Sequence, residues 1–209
     1  MALLQVYRSL LKEFGPQGWW PLRGRYHPGD YSFPRTGAQQ WEICVGALLT
    51  QNTGWGNVEK ALGNLQSAGA WGWEEVLQSR ERKLEQLLRP AGYFRQKAER
   101  LKILAGEVQK AGGMKAFLSL PRESLLEIRG IGPETADSIL LYAGRRPVFV
   151  VDAYTRRLFG GTLFPANARY EDIRGIFERN LPRDWKVYNE FHALIVRKGK
   201  LAGGKLICV

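Results

Sequence analysis

The sequence predicts an all-α fold, and three observations support this class. Apolar residues recur with the period of an α-helix in many segments, and in residues 2–14 they form a single stripe. No segment alternates convincingly as a strand, because the apolar run Val148–Val151 is short and follows Pro147. No internal repeat of about 20–50 residues and no low-complexity tail is visible, which excludes a solenoid.

The predicted helices follow one another with short Gly- and Pro-containing connections. We expect them at residues 2–14, 41–49, 57–66, 71–77, 80–88, 93–111, 153–160, 169–180 and 186–198, with a helical hairpin near 125–142. In the helix at 93–111, the spacing places Leu101 and Val108 inward and Lys97, Arg100 and Lys102 outward. The helix at 41–49 is apolar on every side and is expected to be buried.

Composition favours a globular protein with a polyanionic partner. The 209 residues are 44% hydrophobic, and 31 Lys and Arg against 20 Asp and Glu give a net charge of +11. Nucleic acid is the favoured partner ahead of a membrane surface, and a generally basic protein is the alternative. No apolar run reaches the length of about 18 residues that a membrane helix needs. The N-terminus lacks the basic region of a signal peptide, so a cytoplasmic location is expected.

The most informative segment is Leu125–Tyr142, in which two apolar-periodic stretches flank Gly130-Ile131-Gly132. Pro133 stands where a second helix would begin, since proline in the first turn loses no helical hydrogen bond. The pattern predicts helix, hairpin and helix, with free N–H groups that suit a phosphate. A Gly-x-Gly alone is a weak signal, and a dinucleotide-binding fold is excluded because no strand precedes it.

An apolar run and one carboxylate follow the hairpin, in the sequence Val148-Phe149-Val150-Val151-Asp152. Together with the hairpin and with Leu48–Thr53, this arrangement resembles the helix-hairpin-helix DNA glycosylases of the endonuclease III superfamily. The resemblance extends from about Trp19 to His192.

The resemblance implies a two-lobed layout with the active site in the cleft between the lobes. Residues 37–147 would form a central lobe that ends in the hairpin, and residues 1–36 and 148–209 would form the second lobe. It also implies a monomer that binds double-stranded DNA containing damaged bases and has no membrane partner.

Asp152 is the candidate catalytic residue. Breaking a C1′–N bond gives the sugar oxocarbenium character, which a nearby carboxylate stabilises while it orients a water. Asp152 is alternatively the N-cap of the helix at 153–160, and both roles are compatible. Bifunctional relatives carry a nucleophilic lysine eighteen residues before the aspartate, where this chain has Glu134. A carboxylate cannot form an imine, so the resemblance implies a glycosylase without AP lyase activity.

The damaged base is indicated by aromatic residues. Trp19-Trp20-Pro21, Trp41 and the segment Leu48–Thr53 are similar to the 3-methyladenine DNA glycosylase III subgroup, which implies that these tryptophans and Pro21 line the base pocket. Lys200 would match a lysine beside that pocket. An alkylated purine that carries a positive charge is a good leaving group and suits aromatic stacking. The alternatives are that the tryptophans only pack the protein, that the base is uracil, mismatched thymine or an oxidised purine, or that the protein binds DNA without catalysis.

The resemblance also assigns DNA contacts and cofactors. Gln51 and Asn52 are predicted to bind DNA, with Gln51 entering the gap left by the everted base, or both residues would only cap a helix. The other predicted DNA-binding residues are Arg129, Gly130, Gly132, Arg145 and Arg146. No iron–sulfur cluster is expected, since the sequence contains only Cys44 and Cys208, and no metal is expected at the single histidines His27 and His192. Carbonyl groups of the hairpin would suit a monovalent cation.

Overall fold

The structure is a computed structural model and describes residues 3–201. It confirms the all-α class: the described residues form twelve α-helices and no sheet, with isolated bridges at Leu22–Arg25 and Gly160–Phe164. The helices are α1 Leu3–Phe14, α2 Gly37–Leu49, α3 Trp55–Ser67, α4 Trp73–Gln78, α5 Glu81–Leu88, α6 Phe94–Lys110, α7 Met114–Ser119, α8 Arg122–Leu126, α9 Pro133–Ser138, α10 Ala153–Phe159, α11 Tyr170–Asn180 and α12 Trp185–Leu201. A 3₁₀ turn spans Arg89–Ala91 and a π-helical turn spans Ile139–Ala143. None of the described helices is long and apolar enough to cross a membrane.

The chain divides into two compact units. The first, here called the terminal unit, contains residues 3–21, the segment Tyr26–Tyr31 and residues 145–201 of the part of the chain that the structure describes. The second, here called the hairpin unit, contains Leu22–Arg25 and Ser32–Gly144. The N-terminal loop therefore passes from the terminal unit into the hairpin unit and back.

Helix α2 forms the centre of the hairpin unit. Every residue from Trp41 to Leu49 is buried, as expected for a helix that is apolar on every side. Its start is fixed by a capping box, in which Thr36 Oγ1 accepts from Gln39 N and Gln39 Oε1 accepts from Thr36 N, both at 3.3 Å. Helices α3, α6, α7 and α9 pack around α2.

The predicted hairpin is present between α8 and α9. Gly130 has φ +92, a conformation that favours glycine, and a Cβ there would lie 2.6 Å from the side chain of Arg100. Gly132 is the N-cap of α9 and Pro133 its first residue. Arg122 braces the hairpin through a two-pronged ion pair with Asp137, at 2.5 and 3.0 Å.

An aromatic core holds the terminal unit together. Phe149 stacks on Phe177 with ring centroids 4.3 Å apart, and Phe159 and Phe191 meet Phe177 at 5.3 and 5.9 Å. Each fully buried aromatic side chain contributes about 1.5–3 kcal/mol through the hydrophobic effect. This core fixes the start of α10 relative to α11 and α12.

The structure differs from the sequence prediction in three places. Helix α7 was not predicted, because it has six residues and owes its stability to the burial of Met114, Phe117 and Leu118 rather than to its own length. The second hairpin helix continues as a π-helical turn, with Gly144 N bonded to Ile139 O at 3.1 Å. The prediction that Lys97 points outward is wrong, since this side chain is buried.

Candidate active site

Asp152 is the N-cap of α10. Its Oδ1 accepts from Thr155 N at 2.7 Å and from Thr155 Oγ1 at 2.9 Å, and its side chain is 13% exposed. These two bonds fix the carboxylate and leave Oδ2 outside the cap.

His192 of α12 lies next to that second oxygen, with Nε2 3.5 Å from Asp152 Oδ2. Burial raises the pKa of Asp152, but the electrostatic attraction of the neighbouring His192 and the two bonds from Thr155 outweigh burial and bring that pKa below its usual value. Asp152 is therefore a carboxylate at neutral pH. A fixed, partly desolvated negative charge of this kind is suited to stabilising a developing cation.

The apolar run before Asp152 has no regular secondary structure, and side chains of α11 bind its backbone. Phe149 N donates to Glu178 Oε1 at 2.9 Å, and Val151 N donates to the Tyr170 hydroxyl at 3.3 Å. The N–H groups of Phe149 and Val151 are thus hydrogen-bonded without a sheet. These hydrogen bonds fix the backbone before Asp152 and therefore the position of Asp152.

The aromatic N-terminal segment is anchored by a buried carboxylate of α12. Glu190 Oε1 accepts from Gln17 N at 2.6 Å, and Glu190 Oε2 accepts from the Tyr31 hydroxyl at 2.7 Å. Trp19, between these anchors, packs at 5.5 Å from Trp20 and at 5.6 Å from Tyr26, measured between ring centroids. Trp20 and Pro21 are buried, whereas Trp19 is half-buried.

A pocket of about 290 Å³ lies beside this segment in the terminal unit. It brings together two of the predicted site residues, since Lys200 Nζ lies 5.9 Å from the centre of the Trp19 ring. Asp152 does not line it. The pocket is lined by Gln17, Trp19, Tyr26, Ala193, Val196, Arg197 and Lys200.

Trp41 belongs to the core of the hairpin unit. Its side chain is 1% exposed, its Nε1 donates to Trp71 O at 2.6 Å, and its ring meets that of Trp73 edge-on at 6.3 Å. Within this unit Trp41 acts as a packing residue.

Gln51 is bound to the hairpin by its side chain. Gln51 Nε2 donates to Gly130 O at 2.9 Å and to Thr135 Oγ1 at 3.0 Å, and Gln51 Oε1 accepts from Arg100 at 2.7 Å. The next residue, Asn52, is exposed and has φ +52. The segment after α2 therefore has one residue that holds the hairpin and one that faces outward.

The predicted phosphate-binding arginines differ in their surroundings. Arg129 is exposed and forms an ion pair with Glu99 at 2.9 Å. Arg145 has φ +51 and its guanidinium lies 5.5 Å from the centre of the Trp185 ring, and Arg146 is half-buried. Among residues 3–201, no group of His, Cys, Asp and Glu side chains is arranged to hold a metal ion.

Comparison with known proteins identifies the family. The model of the HhH-GPD superfamily of base excision DNA repair proteins matches residues 45–183. The chain belongs to this superfamily. The resemblance to helix-hairpin-helix glycosylases that the hairpin, the apolar run and Leu48–Thr53 predicted is therefore confirmed.

Individual HhH-GPD relatives agree with this assignment. A candidate DNA repair glycosylase of Methanocaldococcus jannaschii, MJ1434, is 41% identical over 95% of this chain and 87% of its own length. The 3-methyladenine DNA glycosylase MagIII of H. pylori, whose structure holds 1,N6-ethenoadenine, superposes with a TM-score of 0.78 at 29% identity, covering 96% of each chain. A trapped endonuclease III–DNA covalent intermediate superposes with a TM-score of 0.76 at 16% identity, over 95% of this chain and 85% of that one, which shows a shared fold.

Sequence reasoning missed several polar partners within this HhH-GPD chain. His192 was considered only as a metal ligand, and nothing in the pattern links it to Asp152, forty residues earlier. Nothing in the sequence pattern indicated the role of Glu190. Thr155 could have been found, because it is the third residue of a helix that starts after Asp152, the position whose N–H an N-cap side chain binds.

Proposed function

We propose that this HhH-GPD protein is a DNA glycosylase without AP lyase activity that removes alkylated purines from double-stranded DNA. The observation that carries the proposal is the ionised Asp152, which is fixed by Thr155 and faces His192 at the end of a buried run. The capping of α10 uses only Oδ1 of Asp152, so capping alone does not explain why His192 lies beside Oδ2.

The reaction is a hydrolysis at C1′. The C1′–N bond breaks and its electron pair leaves with the base, while the Asp152 carboxylate stabilises the positive charge that develops on the sugar. The oxygen of a water molecule then bonds to C1′, and Asp152 accepts the proton that this water loses. An alkylated purine leaves readily, so little acid catalysis is needed.

Strand cleavage is not expected to follow. Glu134 stands where bifunctional relatives carry the lysine nucleophile, and in this structure it is an exposed residue of the first turn of α9. Its carboxylate interacts favourably with the positive end of the helix dipole. A carboxylate cannot form an imine with the sugar.

We place the excised base against Trp19, in the pocket that also contains Lys200. Stacking on an aromatic face contributes about 1–3 kcal/mol per base and does not require a particular hydrogen-bond pattern. The similarity to the H. pylori 3-methyladenine glycosylase over nearly the whole chain supports this placement.

The charges of this pocket favour a second candidate substrate, a neutral alkyl adduct such as 1,N6-ethenoadenine. Arg197 and Lys200 both line the pocket, and two positive charges oppose a cationic base. Excision rates on single-lesion duplexes containing 3-methyladenine or 1,N6-ethenoadenine would distinguish the two. Uracil, mismatched thymine and 8-oxoguanine duplexes complete the panel.

The experiment that tests the activity uses methylated duplex DNA with an end label. The protein should release bases and leave strands intact until hot alkali is added, so that fragments appear only after alkali treatment. Fragments before alkali would show AP lyase activity from another amine. Tight binding to DNA with no base release on any duplex of the panel would show a DNA-binding protein without catalysis.

A further inference from the structure

A buried lysine of α6 joins two loops of the hairpin unit. The side chain of Lys97 is 1% exposed, and its Nζ donates to Leu49 O at 2.8 Å, to Thr53 Oγ1 at 2.5 Å and to Ala91 O at 2.8 Å. An ammonium group has three hydrogen-bond donors, and all three are used here. We call Lys97 and its three acceptors the Lys97 cluster.

The acceptors belong to segments that are distant in sequence. Leu49 is the last residue of α2, Thr53 lies in the loop that follows α2, and Ala91 ends the 3₁₀ turn before α6. Thr53 Oγ1 also lies 2.5 Å from Ala91 O, so the two loops are joined directly as well.

Each of the joined loops presents an exposed residue in a left-handed conformation. Asn52 is exposed with φ +52, and Tyr93 is 67% exposed with φ +45. Residues other than glycine rarely adopt this conformation unless the surrounding structure holds them there. Thr53 of the Lys97 cluster directly follows Asn52 in the chain, and Ala91 of the cluster lies two residues before Tyr93.

Lys97 is buried more deeply than a carbonyl contact on α6 requires. Burial of a charged ammonium costs free energy that its hydrogen bonds must offset. On the same helix, Lys102 Nζ donates to Leu77 O at 3.1 Å while its side chain remains half-buried, so a carbonyl can be capped without full burial. Two acceptors of the fully buried Lys97, Leu49 and Thr53, flank the segment that carries Gln51 and Asn52.

We propose that Lys97 is a positioning residue for DNA binding, which fixes the loop after α2 so that Asn52 is held in its outward position. The inference rests on the proposed function and on the predicted DNA contacts of Gln51 and Asn52, because it assumes that this loop contacts DNA. The effect of Lys97 on DNA therefore passes through the loop, and Lys97 itself makes no contact with DNA.

The test compares Lys97→Met with Lys102→Met, both in the full chain. The measurement is affinity for a duplex containing a tetrahydrofuran abasic-site analogue, well below the melting temperature of each variant. We expect Lys97→Met to weaken binding about tenfold, an effect typical of residues coupled through direct contact, and Lys102→Met to bind as the wild type does. Equal affinities for Lys97→Met and the wild type would overturn the inference.

A double-mutant cycle tests the route of the effect. If Lys97 acts through Asn52, then Asn52→Ala should weaken binding less in the Lys97→Met background than in the wild type. Additive losses would overturn the inference, because they would mean that Lys97 affects binding independently of the loop.

If Lys97→Met does not fold, Thr53→Val replaces it in the measurement of DNA affinity. This substitution keeps the shape of the side chain, removes the hydroxyl that joins Lys97 to Ala91, and leaves Lys97 in place. We expect it to weaken binding about threefold, the lower end of coupling between contacting residues, and unchanged affinity would overturn the inference. If the wild type binds no DNA, the proposed function fails instead, and this result is distinguishable from a failure of the Lys97 inference.

Discussion

Asp152 and His192 form a buried pair in which one oxygen of the carboxylate faces the imidazole at 3.5 Å while the other caps a helix. The helix cap and the contact with His192 thus use different oxygens of the carboxylate. The N-cap fixes the side chain, and the histidine helps to keep it ionised despite burial. Because a carboxylate has two oxygens, Asp152 can cap α10 with Oδ1 and keep Oδ2 for the proposed catalytic role.

Asp152→Asn should separate these two roles. Asparagine is also a good N-cap, so the fold should persist, while the charge that stabilises the sugar cation is lost. Single-turnover excision should slow by about 10²–10⁴, which corresponds to about 3–5 kcal/mol, and binding to an abasic-site duplex should be retained. Asp172→Asn, at an exposed ion pair on α11, is the control and should excise normally. Normal excision by Asp152→Asn would leave Asp152 as a helix cap only.

Stability should depend on pH through Lys97. Burial, together with the positive charge of Arg100, lowers the pKa of Lys97 from 10.5 to about 8. Between these pH values the unfolded chain holds a proton that the folded chain has released, so the free energy of unfolding should rise as the pH increases from 8 to 10.5. Denaturant titrations at several pH values should show this rise in the wild type and in Lys102→Met, and should show less of it in Lys97→Met. Parallel curves for all three proteins would contradict the prediction.

The local patterns of the sequence predicted most of the fold. Helical periodicity located the long helices, and glycine and proline located the hairpin, because both signals depend on residues close together in the chain. Helix α7 escaped prediction because a six-residue helix depends on the side chains that cover it. The outward assignment of Lys97 failed for a related reason, since its partners at Leu49 and Ala91 are set by the tertiary structure.

The candidate site was predictable to a smaller extent. The position of Asp152 after an apolar run is a local feature, whereas its contact with His192 requires α10 and α12 to be packed together. The two predicted pocket residues Trp19 and Lys200 are near the opposite ends of the chain, and a family likeness rather than periodicity linked them. For Trp41, the apolar surroundings in the sequence are equally typical of a core residue and of a pocket wall, and its role at the base pocket stays a prediction.

Gln51 and Asn52 should differ in their effects although they are adjacent. Gln51→Ala removes three hydrogen bonds to the hairpin and Arg100, so both the melting temperature and the affinity for DNA should fall. Asn52→Ala removes an exposed side chain and should lower the affinity and the excision rate, while the melting temperature should fall less than in Gln51→Ala, since alanine at φ +52 adds only local backbone strain. Thermal melts beside binding to the abasic-site duplex provide the comparison. If Gln51→Ala had the DNA affinity and the melting temperature of the wild type, the hydrogen bonds from Gln51 to the hairpin would contribute neither to stability nor to DNA binding.

The tryptophans should fall into two groups, which melting temperature and excision rate together distinguish. Trp41 is buried in the hairpin unit with a 2.6 Å hydrogen bond, so Trp41→Ala should cost about 3–5 kcal/mol of stability. Trp19 is half-buried beside the pocket, so Trp19→Ala should cost little stability. Because a stacked base gains about 1–3 kcal/mol from an aromatic face, Trp19→Ala should slow excision of alkylated purines by roughly 10- to 100-fold.

Two further measurements make the Trp19 result specific. Binding of Trp19→Ala to undamaged duplex should match the wild type, since that binding depends on phosphate contacts and on salt. Trp73→Ala is the matched control, because it removes another half-buried indole, one that contacts Trp41 rather than the pocket. Its excision rate under single-turnover conditions should match that of the wild type. If Trp19→Ala excised every lesion of the panel at the normal rate, the pocket beside Trp19 would not hold the base, and the assignment of alkylated purines would lose its structural support.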